Sequence, residues 1–87
     1  MSDRPVTDEL RLRHLTTDEA LLELQQYLHD AFMSGFTEAR IIHGKGTGTL
    51  RRLVRQELAG HPLVKSFRPG ACGEGGAGVT VVLFTDE

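Results

Sequence analysis

Eighty-seven residues, 39% of them apolar, hold one domain with a modest core and leave no room for a second. The net charge of −2 conceals a division along the chain: residues 1–39 carry −5, residues 40–68 carry +6 and residues 69–87 carry −3. One cysteine, Cys72, excludes an internal disulfide and a CxxC metal site, and no apolar run approaches the ~20 residues that span a bilayer.

Met1–Thr7 is polar, lacks the apolar centre of a secretory signal and is expected to be a disordered lead-in or linker remnant. The domain proper is expected at residues 8–87, in a soluble cytoplasmic protein with no membrane partner. Glu9-Leu10-Arg11-Leu12-Arg13-His14 alternates apolar with charged residues, which predicts a strand with Leu10 and Leu12 toward the core and Arg11 and Arg13 on the opposite face. Thr16-Thr17-Asp18-Glu19 is a capping box, so a helix should start there. Its apolar stripe is Leu21, Leu24, Leu28 and Ala31, flanked by Ala20, Tyr27 and Phe32, and Gly35 should end it.

Glu38–His43 reads as a second strand, which completes a βαβ unit whose strands run parallel. Parallel strands end at the same edge, so Arg13 and His14 should come to lie beside His43–Gly48. A second helix should run from Thr47 or Thr49 to Ala59, with Leu50, Leu53, Val54 and Leu58 buried and Arg51, Arg52 and Arg55 in water. Gly60 and His61-Pro62 close it. Leu63–Arg68 is a third strand anchored by Val64 and Phe67 on an irregular pattern. Pro69–Gly78 is a glycine-rich loop, and Val79–Phe84 is a near-continuous apolar strand expected in the sheet interior. The order is β-α-β-α-β-β, an α/β two-layer sandwich with a four-stranded mixed sheet and two helices.

Function is sought where strand, glycine loop and basic helix meet. Glycines at 44, 46 and 48 let backbone approach a ligand, and the following helix offers unpaired amides and a positive dipole end. Lys45, Arg51 and Arg52 crowd that same end, where cations are unfavourable by roughly 0.3–1 kcal/mol each, so an anion should offset them. The spacing is neither Walker A nor GxGxxG. A basic centre in an acidic chain points to nucleic acid. His14, His29, His43 and His61 have no metal-ligand spacing, and His29 and His61 read as a solvated residue and a turn residue.

Ile41-Ile42-His43-Gly44-Lys45-Gly46-Thr47-Gly48, then Leu50-Arg51-Arg52, His61-Pro62-Leu63-Val64-Lys65-Ser66-Phe67 and Glu74-Gly75-Gly76-Ala77-Gly78-Val79-Thr80-Val81-Val82, resemble in order and spacing the Smr (small MutS-related) domain. The likeness is greatest to the version that ends bacterial MutS-like proteins of the second type. It implies a sandwich similar to the C-terminal domain of translation initiation factor 3, with nucleic-acid binding and nicking endonuclease activity. The family's HGxG falls on His43-Gly44-Lys45-Gly46, and its LDxH or LDxR on Leu10-Arg11-Leu12-Arg13, with Arg11 in place of the aspartate and His14 where a glycine is common. An arginine cannot act as a base or hold a divalent cation, but it binds phosphate through a fork of donors.

The catalytic residues implied are His43 as general acid or base, His14 as a second proton-transfer group, and Lys45 and Arg13 as stabilisers of phosphoryl charge. Arg11, Arg13, Gly44, Lys45, Gly46, Thr47, Gly48, Arg51, Arg52 and Arg55 would bind nucleic acid, DNA first and RNA or a ribosome as alternatives. A divalent cation is compatible with such hydrolysis, although no ligand cluster stands out. The competing reading is a non-catalytic, monomeric binding module of a larger MutS-like ATPase.

Overall fold

The computed structural model describes residues 7–44, 48–71, 73 and 76–85. Strand β1 (Glu9–Arg11) leads through helix α1 (Thr17–Met33) to β2 (Glu38–Ile42), then through α2 (Thr49–Ala59) to β3 (Val64–Pro69) and β4 (Val79–Phe84). Of the expected lead-in at residues 1–7, only Thr7 is described, and its carbonyl accepts the Tyr27 hydroxyl at 2.5 Å.

β1 is three residues long, shorter than the alternation from Glu9 to His14 predicts. Its ladder against β2 runs out at the Leu12 N–H, which donates to the Ile42 carbonyl at 2.8 Å. The chain then turns, with the Leu15 N–H on the Leu12 carbonyl at 3.3 Å and His14 at φ 73°. Positive φ at the third place of such a turn suits glycine, which gives His14 its backbone context. Arg13 therefore leaves the strand and does not share a regular face with Arg11.

α1 starts as its capping box requires: the Glu19 N–H reaches Thr16 Oγ1 at 3.2 Å, and the Thr16 N–H reaches Glu19 Oε1 at 2.9 Å. It ends in a Schellman motif, with the Phe36 N–H on the Ala31 carbonyl and the Gly35 N–H on the Phe32 carbonyl. Ala20, Leu24, Tyr27, Leu28 and Ala31 are buried, whereas Leu21 is only half-buried.

β1 and β2 pair in parallel, and β4 lies between β2 and β3, antiparallel to both, giving the order β1-β2-β4-β3. A register shift between Val64 and Ser66 puts Val64 opposite Phe84 and Phe67 opposite Val82, so both anchors face one way despite their odd spacing. Leu12, Ile41, Val82 and Phe84 from the sheet join Leu24, Leu28, Val54 and Leu58 in a single core, which places both helices on one face. On the helix-free face Val81 is in register with Arg40 on one side and Arg68 on the other, and it is fully buried. Long arginine stems can cover apolar surface while their heads stay in water.

Substitution along α1 should sort by face. Leu24→Ala is expected to lower the urea-unfolding free energy by about 2–5 kcal/mol and Thr16→Ala by about 1 kcal/mol. Leu22→Ala, at a side chain 68% exposed, should cost less than about 0.5 kcal/mol. Equal costs at Leu22 and Leu24 would contradict this placement of the stripe.

Candidate nucleic-acid interface

Parallel pairing brings the ends of β1 and β2 to one edge, and there Arg13 lies against the glycine turn. A Cβ built on Gly44 would sit 3.6 Å from Arg13 Cγ, an ordinary contact distance, and Gly44 has φ 81°, so it is the backbone conformation that would strain a side chain here. The N–H groups of His43 and Gly44 both donate to the Gly78 carbonyl at 3.0 Å. This corrects the expectation for Gly44 alone: its N–H is bound within the fold and does not turn toward a ligand.

His43 is 4% exposed, with Nδ1 2.9 Å from the Gly44 carbonyl and Nε2 2.9 Å from Thr80 Oγ1. A carbonyl only accepts, so Nδ1 carries the proton and Nε2 accepts from the Thr80 hydroxyl in the neutral ring. Burial lowers the imidazole pKa, the bond to the Gly44 carbonyl opposes that shift, and the guanidinium groups of Arg51 and Arg55 lower it further. A free, solvated imidazole titrating near its ordinary value is thus not what the fold provides.

α2 begins on Gly48, at φ 86°, with no side-chain cap and no acidic residue in its first turn. α1, by contrast, has a reciprocal cap and both Asp18 and Glu19 in its first turn. Arg51 Nη2 would lie 3.7 Å from a Cβ on Gly48. Gly48, Arg51, Arg52, Arg55 and Gln56 line an open groove of about 280 Å³. Among the described residues, none of Arg13, Arg51, Arg52 and Arg55 has a carboxylate within 4.0 Å.

Arg11 stands apart. It pairs with Glu9 at 3.4 Å, and Glu9 also holds Arg40 at 3.2 Å. His14 is exposed at its turn. Lys45, Gly46 and Thr47 lie outside the described residues. Among the described residues no three His, Cys, Asp or Glu side chains come together to hold a metal ion, and no helix is long and apolar enough to cross a membrane.

Three contributors to this edge escaped the sequence reading: the Gly78 carbonyl, the Thr80 hydroxyl and Gln56. Thr80 had a signal, since it is the one polar residue in the run Val79–Phe84. A backbone carbonyl such as that of Gly78 has none.

A family model described as Smr domain matches residues 10–85. The chain is 56% identical over 79 residues to the Endonuclease MutS2 of Pelotomaculum thermopropionicum, covering 91% of this chain and 10% of that protein. It is 48% identical over 86 residues to the Endonuclease MutS2 of Caldicellulosiruptor saccharolyticus, covering 99% of this chain and 11% of that one. The chain thus spans about a tenth of the length of these curated relatives. Among solved structures, the Smr domain of Thermus thermophilus MutS2 matches with a TM-score of 0.87 and 47% identity, over 91% of this chain and 99% of that one.

The lowered pKa of His43 has a sign that can be measured. The unfolded imidazole takes up its proton near pH 6.5 and the folded ring only at lower pH, so the His43 contribution to stability is complete above about pH 6.5 and is lost as pH falls. The unfolding free-energy gap between wild type and His43→Gln should therefore narrow on acidification from pH 8 to pH 5. A gap that widens would mean that the ring is charged in the fold.

Proposed function

Since the chain belongs to the Smr domain family, we propose that it is a nucleic-acid-binding domain that grips a phosphodiester backbone with Arg13, Lys45, Arg51, Arg52 and Arg55 and nicks it, acting on DNA first and on RNA as an alternative. The observation that carries this reading is the set of guanidinium groups left without carboxylate partners beside a helix start that has no side-chain cap. Phosphate oxygens supply the missing negative charge, and forked guanidinium donors match their geometry. The name Endonuclease MutS2 of the relatives sets the direction of the chemistry, and the match to a tenth of their length fits a domain working in the cytoplasm within a larger MutS-like ATPase.

In such a hydrolysis, water attacks phosphorus, its proton passes to a base, and the bond to the leaving oxygen breaks as that oxygen is protonated. Charge grows on the non-bridging oxygens, and fixed guanidinium groups stabilise it more in the transition state than in the ground state. His43 and His14 are the candidate proton-transfer groups. For His43 to act as base, its Nε2 has to exchange the Thr80 hydroxyl for the attacking water. Gly44, Gly46, Thr47 and Gly48 complete the proposed contact, with Arg11 at its margin.

A second reading, a binding module for DNA or for a ribosome with no cleavage of its own, is favoured by the two occupied nitrogens of His43 and by Arg11. Supercoiled plasmid separates the two. The nicking reading expects open-circle product from the wild type and at least about 100-fold less from His43→Ala or His14→Ala. Binding without product, with or without divalent cation, favours the module. Under either reading Arg51→Ala and Arg52→Ala should each weaken binding and reduce the slope of log K against log salt by about 1. Wild type that neither binds nor nicks would end both.

A further inference from the structure

β4 and the residue just before it, Gly78, hold the turn at two points. Gly78 accepts the N–H groups of His43 and Gly44, and two residues later the hydroxyl of Thr80, 1% exposed, meets His43 Nε2 at 2.9 Å. A hydroxyl buried without a partner is costly, and valine would fill the same volume in this strand of valines, so the choice of threonine calls for a polar role. Register explains why it meets the ring: Thr80 lies opposite Ile41, and His43 follows two residues later on the same face. We propose that Thr80 is a positioning residue for the binding turn: its hydroxyl holds His43 as the Nδ1–H tautomer, with that proton on the Gly44 carbonyl, so that β4 sets where Gly44 stands between Arg13 and α2.

The charged groups around the ring reinforce the arrangement. Arg51 and Arg55 act on it from α2, Arg13 lies beside Gly44 from the end of β1, and β4 contributes only the uncharged Thr80. A proton on Nε2 would face the positive charge of Arg51 and Arg55 on α2, whereas a lone pair there receives the hydroxyl proton. The ring thereby becomes a fixed strut between β4 and the turn. The link to binding rests on the groove being the nucleic-acid site, as proposed above; the strut itself does not.

The 87-residue chain carrying Thr80→Val or Thr80→Ser tests this first without nucleic acid. Amide hydrogen exchange at His43 and Gly44 should quicken in Thr80→Val by about 10-fold more than at Leu24 and Leu28 of α1, and Thr80→Ser should restore it. Nitrogen NMR of the wild type should find a protonated Nδ1 and an unprotonated Nε2 at pH 7, a readout that stands even where Thr80→Val does not fold. Affinity for a short DNA duplex should fall about 3–10-fold in Thr80→Val with an unchanged salt slope, because no cation is lost. Exchange at the turn that merely follows α1, a protonated Nε2, or Thr80→Ser behaving as Thr80→Val would overturn the proposal. Wild type that binds no duplex would overturn the groove reading instead, and the exchange comparison would still decide the strut.

Discussion

Positive charge left unbalanced at one end of the sheet is the constraint from which the account follows. On the sheet, by contrast, Arg11 and Arg40 share Glu9. In the first turn of α2, Arg51 and Arg52 stand beside a helix dipole that disfavours them, Arg55 follows one turn on, and Arg13 lies against Gly44 from the turn after β1. Gathering like charges costs stability, so such an arrangement makes sense where an external polyanion completes it.

Topology does the gathering. The parallel β1–β2 pair brings two segments distant in sequence to one edge, and the exit of β2 is then clamped by Gly78, just before the antiparallel β4, and by Thr80 within it. The two helix starts have opposite designs: α1 satisfies its own first turn with Thr16, Asp18 and Glu19, and α2 begins on a glycine that has no side chain to offer. Both helices pack on the core, but only the one without a side-chain cap also borders the groove.

Much of this was legible in the sequence. The capping box, the apolar stripes and the interior place of Val79–Phe84 follow from periodicity and composition, because those features are local or depend on burial alone. Strand length was less legible: alternation continued to His14, but the turn that leads into the Thr16 cap reversed the chain first. The pattern of Val64–Phe67 looked irregular because a bulge cannot be read from hydrophobicity. The inward bonding of the His43 and Gly44 amides was hidden for a different reason, since their acceptor is a backbone carbonyl 34 residues beyond Gly44. The buried state of His43 was likewise hidden, because a histidine at a strand end looks the same whether it faces solvent or a threonine on the next strand.

Backbone amide shift mapping during titration with a short DNA duplex locates the surface that polyanion occupies. Arg13, Gly44, Gly48, Arg51, Arg52 and Arg55 should shift together, while Arg40, Val81 and Arg68 on the helix-free face stay still. Shifts confined to that helix-free face, with the start of α2 unmoved, would contradict this placement of the polyanion.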